Sequence, residues 1–471
     1  MNVSSDSELT LELSDSYKTS KVKDYVSQFI LSDETMVDVK QLLEHEMNYG
    51  LKDPNSDMQG TSMEMRVTFF TELFNGFEKG DYVIIFLDKR YLVLALVKIS
   101  PGFSPETKTQ VYPLSENVKK TPYIKIFEYI SDCLLEFFTE LNLLEETQVV
   151  GFCCNLPVVQ LGIDDCTICY FTSEASNFPL NCYDIHRCFN IVLRKPKYKN
   201  LKFDLAAILS NNTSSFISTA YIHGNIDMLV NFEDDCNILY WEDRKLVEKW
   251  RKSESNEGKV LIDCDLKNFG KLGTIDFIST NHDWDIIPEH LNDNYEKHCS
   301  MGQLLLPNSV LELIKRILLS LHHDLLYCRT ANIESLQSKG VSLTDVINLV
   351  NNKNDDQALV LLPGGTVCGT VDDAKIACYV IDIILKRTAQ LKSICLAAFM
   401  SKFASNDLVV IIKSSLFWQY LEYEADIRNI IQKLLPKKKF QFFRPSNFAN
   451  YEGAALATSI AVRMDKKELH F

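Results

Sequence analysis

The sequence predicts an α/β protein of two lobes, and three observations carry that prediction. The chain has 471 residues, 46% of them hydrophobic, more than one compact unit normally packs around a single core. Strand-like and helix-like patterns are mixed in both halves instead of being segregated. A run of apolar strand, short charged turn and second apolar strand occurs twice, within 82–98 and within 227–241, as though one plan were loosely duplicated.

Taken in order, residues 1–31 are polar and acidic and read as an N-terminal tail. Ser32 or Asp33 then offers an N-cap to a helix with Val39, Leu42, Leu43 and Met47 on one face, stopped near Gly50; it is the first element expected to be ordered. YVIIFL (82–87) and YLVLALVK (91–98) are strands joined by Asp88, Lys89 and Arg90, a turn of hairpin length. Helical spacing returns over 126–142 through Phe127, Ile130, Leu134, Phe137, Phe138 and Leu141, a stripe read as core packing. Strand-like runs follow at 147–154 and 202–209, and the second hairpin at 227–241. Long helical patterns then cover 308–326, roughly 372–400 and 453–464.

Composition narrows the function. Sixty-three acidic residues against 49 basic ones give a net charge of −14, so a nucleic-acid backbone or an anionic membrane would on average repel the chain. The N-terminus has no basic stretch followed by an apolar one, and no apolar run reaches membrane-spanning length; a cytoplasmic protein is expected. The 14 cysteines then read as reduced, buried thiols, and the sequon at Asn211–Thr213 carries no glycan. Cys166 and Cys169 form a lone CxxC with no second pair, so a strand is preferred to a zinc site, and no metal is assigned. PGGTVCGT (363–370) lacks the Lys-Ser/Thr of a phosphate loop and reads as a turn before a helix. His322-His323 reads as an amphipathic edge, and Lys437–Lys439 as a solvated turn before the strand FQFF.

Seven segments resemble the eukaryotic hexokinases, in the order in which that family has them. KGDYVIIFLDKRYLVLALVKI (79–99) aligns without a gap on the family's Lys-Gly-Asp, strand, Leu-Asp-Leu-Gly-Gly-Thr-Asn-Phe-Arg, strand. VGFCCNLP (150–157), AAILSNNTSSFISTAY (206–221) and DLKNFG (265–270) follow, then NYEK (294–297), KRTAQLKSICLAAF (386–399) and GAALATSIAVRM (453–464). The resemblance implies the actin-like ATPase, ribonuclease-H-like fold, whose two lobes close over sugar and Mg-ATP. It also implies a division into 32–221, the small-lobe region whose N-terminal helix packs on the large lobe, and 222–465, the large-lobe region whose last helix returns to the small lobe.

Hexose phosphorylation needs a carboxylate to take the hydroxyl proton, and donors with magnesium to hold the polyphosphate. By the resemblance the catalytic aspartate falls on Asn211, whose amide cannot accept that proton at neutral pH. Ser210 stands where the family has asparagine. In the first phosphate turn the family's aspartate becomes Phe86, its glycines Asp88 and Lys89, its threonine and asparagine Arg90 and Tyr91, and its arginine Val93. Side chains of this size block the close approach that glycine permits. In the second turn Gly-Thr-Gly gives way to Phe232, Glu233, Asp234 and Asp235, placing carboxylates where an anion belongs. Lys413, Ser414 and Ser415 stand at the family's Asp-Gly-Thr or Asp-Gly-Ser, and Ser446 is kept beyond them. On the sugar side Thr172 and Glu296 match hexose contacts, Asn237 aligns with a third and Asp265 shortens a fourth, while Asn155 and Ser173 replace a serine and a lysine.

The expectation is a pseudo-hexokinase that binds a hexose, another hexokinase or a regulatory protein. Two alternatives stay open. One is an active ATP:hexose 6-phosphotransferase feeding glycolysis, with Asp88 or Asp265 as substitute base and Lys89 and Arg90 holding phosphate by charge. The other is a scaffold that binds neither ligand.

Overall fold

A computed structural model describes residues 9–52, 60–88, 90–100, 106–114, 123–154, 158–168, 183–250, 257–287, 297–338, 340–352 and 369–468. Its strands, in chain order, begin with β1 (Arg66–Val67), β2 (Gly80–Leu87), β3 (Tyr91–Ile99), β4 (Glu106–Pro113), β5 (Gln148–Cys154), β6 (Val158–Gln160) and β7 (Cys166–Ile168). They continue with β8 (Tyr183–Asp184), β9 (Phe203–Ser210), β10 (Met228–Asn231), β11 (Asn237–Asp243), β12 (Lys259–Asp263), β13 (Asp407–Lys413) and β14 (Lys439–Phe443).

The first lobe holds a sheet in the order β4-β3-β2-β5-β9, the second a sheet in the order β1-β12-β11-β10-β13-β14. Leaving β1 aside, the two are built alike. In each, three antiparallel strands come first and two parallel strands are added on the opposite edge of the opening strand, β5 and β9 beside β2, β13 and β14 beside β10. The repeated hairpin read from sequence is the start of each sheet.

Burial on both faces explains the unbroken apolar run of β2. Val83, Ile85 and Leu87 face a core shared with Phe127, Ile130, Leu134 and Phe138 of the Tyr123–Glu140 helix. Ile84 and Phe86 face a different core, between the sheets, where Phe216, Leu229, Leu239, Ile411 and Ala454 to Ala457 meet them. Two helices, Asn211–His223 and Asn450–Glu468, run through that central layer. Their approach is close, because a Cβ on Gly453 would lie 2.4 Å from the Ser214 carbonyl oxygen; any larger residue must push backbone apart.

Most sequence-read elements fall where expected, including the helix Asp33–Gly50 capped by Ser32, whose Oγ accepts the Thr35 N–H. The reading of 1–31 as a tail is corrected. Residues Ser16–Ser27 form a helix capped by Asp15, and its Val22 and Val26 are fully buried together with Phe29. The motif KRTAQL supplies the anchor. Gln390 exchanges two hydrogen bonds with the Leu31 backbone, at 3.0 and 2.8 Å. Arg387, 2% exposed, makes a two-toothed pair with Asp283 at 2.8 Å and lies over the Phe29 ring. Sequence reasoning also passed over β4, β12, β13 and the helices Ile185–Leu193, Leu343–Asn352 and Leu421–Leu434.

Candidate functional site

The site lies where β9 ends and the Asn211–His223 helix begins. Ser210 caps that helix, its Oγ accepting the Thr213 N–H at 3.1 Å and donating to Asp263 Oδ2 at 3.0 Å. Such a cap satisfies one of the donors that every helix start leaves open. Asn211 follows as the first helical residue, its Oδ1 accepting the Cys153 thiol at 3.4 Å. Burial pushes the Cys153 pKa well up, so the sulfur keeps its proton and donates. Asn212 turns toward the second hairpin, donating to Asp235 Oδ2 at 3.2 Å and accepting from Asn231 at 2.9 Å.

Beside this helix start sits a cluster of opposite charges. The register of β1 against β12 sets Arg66 opposite Asp263, and the guanidinium lies 3.8 Å from Asp263 Oδ1 and 3.4 Å from Asp265 Oδ2. Lys267 Nζ stands 3.0 Å from Asp265 and 3.6 Å from Asp235. Asn237 knits the group together: its amide donates to Asp263 at 2.6 Å and its carbonyl accepts the Asp265 N–H at 2.8 Å. Asp265 holds φ +53, a left-handed conformation that aspartate adopts more readily than most residues. Burial disfavours the Arg66 charge, yet Asp263 and Asp265 outweigh it and hold its pKa above the ordinary value. Burial raises the Asp235 pKa, and Asp263 and Asp265 push it the same way against Lys267.

At the second hairpin tip the carboxylates are already engaged. Glu233 accepts the Ser415 N–H at 2.5 Å and the Ser415 hydroxyl at 2.7 Å. Asp234 pairs with Lys413 at 3.0 Å, and although burial opposes its charge, Lys413 and neighbouring donors bring its pKa below the ordinary value. Ser414 caps the short helix Ser415–Gln419 through the Phe417 N–H. Each of these two carboxylates therefore has a partner within the protein.

The first tip is closed by its own backbone: the Asp88 N–H donates to the Tyr91 carbonyl at 3.0 Å, and the Arg90 N–H to Asp88 Oδ1 at 3.3 Å. Phe86 is buried and pairs across the hairpin with Val93. Ser446 docks on the Asn211–His223 helix, its hydroxyl donating to Ser218 Oγ at 2.9 Å and its N–H to Thr219 Oγ1 at 3.0 Å.

Ser210 and Asn237 thus converge on Asp263, Asp265 joins them through Asn237 and Arg66, and Glu233 converges with Ser415 beside Ser414. Asp234 faces Lys413, while Asp88, Arg90, Tyr91 and Ser446 belong to neither group. Lys89, Asn155, Thr172, Ser173 and Glu296 lie outside the described residues, as do Cys169 and 363–368. Asp263, Arg66 and Lys267 were not singled out from sequence. The Asp263-x-Asp265 pair of closely spaced acids was the available signal for the first; nothing local pointed to Arg66. His322 Nδ1 donates at 3.1 Å to the backbone carbonyls of Tyr327 and Cys328. Among the described residues no three His, Cys, Asp or Glu side chains are placed to hold a metal, and no helix is long and apolar enough to cross a membrane.

Two sheets of matching topology, with two helices threaded between them, define the two-lobed actin-like α/β fold of the hexokinase type. The hexokinase of Schistosoma mansoni complexed with glucose superposes with a TM-score of 0.76 at 20% identity, covering 95% of this chain and all of that one. Family models described as hexokinase match residues 21–221 and 230–460. The chain belongs to the hexokinase family. Mouse hexokinase HKDC1 is 24% identical over 467 residues, and human hexokinase-1 is 23% identical over 458. Each alignment takes in 94% of this chain and 48% of the relative, so the chain spans about half the length of these curated relatives.

Proposed function

We propose that this chain is a pseudo-hexokinase, which has lost ATP-dependent hexose phosphorylation and acts by binding a hexose or by regulating another hexokinase. The observation that carries the reading is Asn211. A neutral amide stands at the position of the family's base, held by the Cys153 thiol and followed by a well-capped helix. Without a general base a rate falls by about 10²–10⁴.

The residues at the nucleotide positions do not suit a magnesium-bound triphosphate. Glu233 occupies the N–H and hydroxyl of Ser415 with a carboxylate of this chain's own. The first tip carries buried Phe86 and backbone-closed Asp88 in place of an aspartate and glycines. No catalytic step is routed through the nucleotide here. The sugar positions keep polar groups, and Asn237 and Asp265 can turn hydrogen bonds toward hydroxyls at the cost of some of their present ones.

One observation favours the alternative of an active phosphotransferase: Asp263 is a carboxylate bonded to Ser210, the residue next to Asn211. A coupled ADP-release assay with glucose, fructose, mannose and N-acetylglucosamine separates the two readings. The pseudoenzyme gives background turnover with every sugar, a thermal shift with a hexose and none with Mg-ATP. Robust turnover that Asp263→Asn abolishes and Asn211→Asp does not increase overturns it.

A further inference from the structure

Two lysines four residues apart sit in opposite surroundings. Lys245 is exposed, and its Nζ lies 2.8 Å from the Asp243 carboxylate, which holds its pKa above the ordinary value. Lys249 is half-buried, and its Nζ donates to the backbone carbonyl of Glu64 instead. The Glu64 carboxylate is taken by Arg66 at 3.3 Å. Among the described residues no carboxylate forms an ion pair with Lys249.

The segment that carries Lys249 is pinned in place. The Glu248 N–H donates to the Leu51 carbonyl at 2.9 Å and the Trp250 N–H to the Val247 carbonyl at 3.0 Å. The buried Trp250 ring packs on Phe69 at 5.7 Å and carries the Arg244 guanidinium over it at 5.5 Å. Lys249 is thereby kept near a like charge, Arg66. Burial disfavours its charge, Glu64 favours it and Arg66 opposes it again, so that its pKa is pushed down to about 8. A bond to a carbonyl serves the neutral amine as well as the ammonium, and the lone pair of the neutral amine points away from that oxygen.

We infer that Lys249 is a site of covalent acylation by acyl thioesters. The neutral amine attacks the thioester carbonyl carbon, the N–C bond forms as the C–S bond breaks, and the amine proton leaves with the sulfur as a thiol. The reagent class follows from the surroundings: a protonated imine made from an aldehyde would keep a positive charge beside Arg66, whereas an amide removes it and retains an N–H for the Glu64 carbonyl. This goes beyond the proposed function and does not depend on it, since Lys249 is not one of the residues aligned with hexose or nucleotide contacts.

Incubating the whole folded chain with acetyl-coenzyme A, and reading the acetylated fraction of each lysine by peptide mass spectrometry, tests the inference. Near about pH 7.5 Lys249 reacts about 10-fold faster than Lys245, because its neutral fraction is roughly 100-fold larger than that of an ordinary lysine and the lower nucleophilicity of a weaker base returns part of that gain. The Lys249 rate levels off above about pH 8 while the Lys245 rate keeps rising. Unfolding in urea brings the two rates to within about twofold, both side chains then being ordinary lysines. Glu64→Gln withdraws the charge that favours the ammonium and moves the plateau to lower pH. Equal rates in the folded chain, a Lys249 rate that rises without levelling, a preference that persists in urea, or a plateau that Glu64→Gln leaves in place overturns the inference. The first three readings need no variant, so a folding failure of Glu64→Gln does not shield it.

Discussion

Adjacent residues of the second hairpin tip, Asp234 and Asp235, are the same side chain in two different environments. Asp234 is exposed and reaches Lys413 at the end of the neighbouring strand β13, and its pKa goes down. Asp235 is turned inward toward Asp263 and Asp265, and burial with those like charges sends its pKa up. The same contrast separates the two halves of the site. Glu233 and Asp234 are each held by one residue, Ser415 and Lys413. Around Asp263, three acids, two cations and an asparagine are pooled into one network that no single bond holds. Loss of one member should therefore spread within the Asp263 network and stay local at Glu233 and Asp234.

The largest break in that comparison is Arg66→Ala. It leaves Asp263 and Asp265, both with side chains 5% exposed, without their guanidinium, and a cost of about 3 kcal/mol or more follows. Urea denaturation measures it, and adding Asp263→Asn and Asp265→Asn to Arg66→Ala should restore most of the loss. A drop below about 1 kcal/mol would mean that Lys267 alone carries the network.

Next in size is Glu233→Ala, which deprives Ser415 of two acceptor contacts. The expected loss is about 1–2 kcal/mol, with little change between low and high salt because the contacts are short and half-buried. Asp234→Ala, by contrast, should stay within about 0.5 kcal/mol, and that small effect should vanish at high salt. A salt-sensitive Glu233→Ala would erase the distinction between the two residues.

The smallest effects are in pH. The unfolded chain gives up the Asp235 proton near the ordinary carboxylate value, about 3.9, before the folded chain does. Stability contributed at Asp235 therefore falls as pH rises from there through its raised folded value. For Asp234 the order is reversed: its contribution is present above the ordinary value and is lost as pH drops through its lowered folded value. Denaturation midpoints of Asp235→Asn and Asp234→Asn followed across the acid range should diverge from the unaltered protein in opposite directions. Parallel curves would contradict the assignment of opposite environments.

Local grammar made much of this legible in the sequence. The β2–β3 hairpin is written as two apolar runs around a charged turn, and the Ser32 cap and apolar stripe mark the Asp33–Gly50 helix. Family segments then placed Asn211 and the two tips. What stayed hidden depends on contacts between distant residues. The Ser16–Ser27 helix is polar on most of its surface, and the segment just after it is held at Phe29 and Leu31 by Arg387 and Gln390, more than 350 residues away, so its own pattern is faint. Arg66 gained its meaning only when β1 paired with β12. The partners of the second tip's acids were hidden for the same reason, since Lys413 and Ser415 lie far along the chain.

The Asn450–Glu468 helix sets a timetable for biosynthesis. The layer that closes one side of the β2–β5–β9 sheet draws on Ala454 to Ala461, so those strands leave the ribosome with that face uncovered. At about 5–20 residues per second, roughly 240 further residues must be added before the covering arrives, a delay on the order of tens of seconds. Through that interval an oily sheet surface stands open, and a nascent chain of this design is a natural client for chaperones that shield such surfaces.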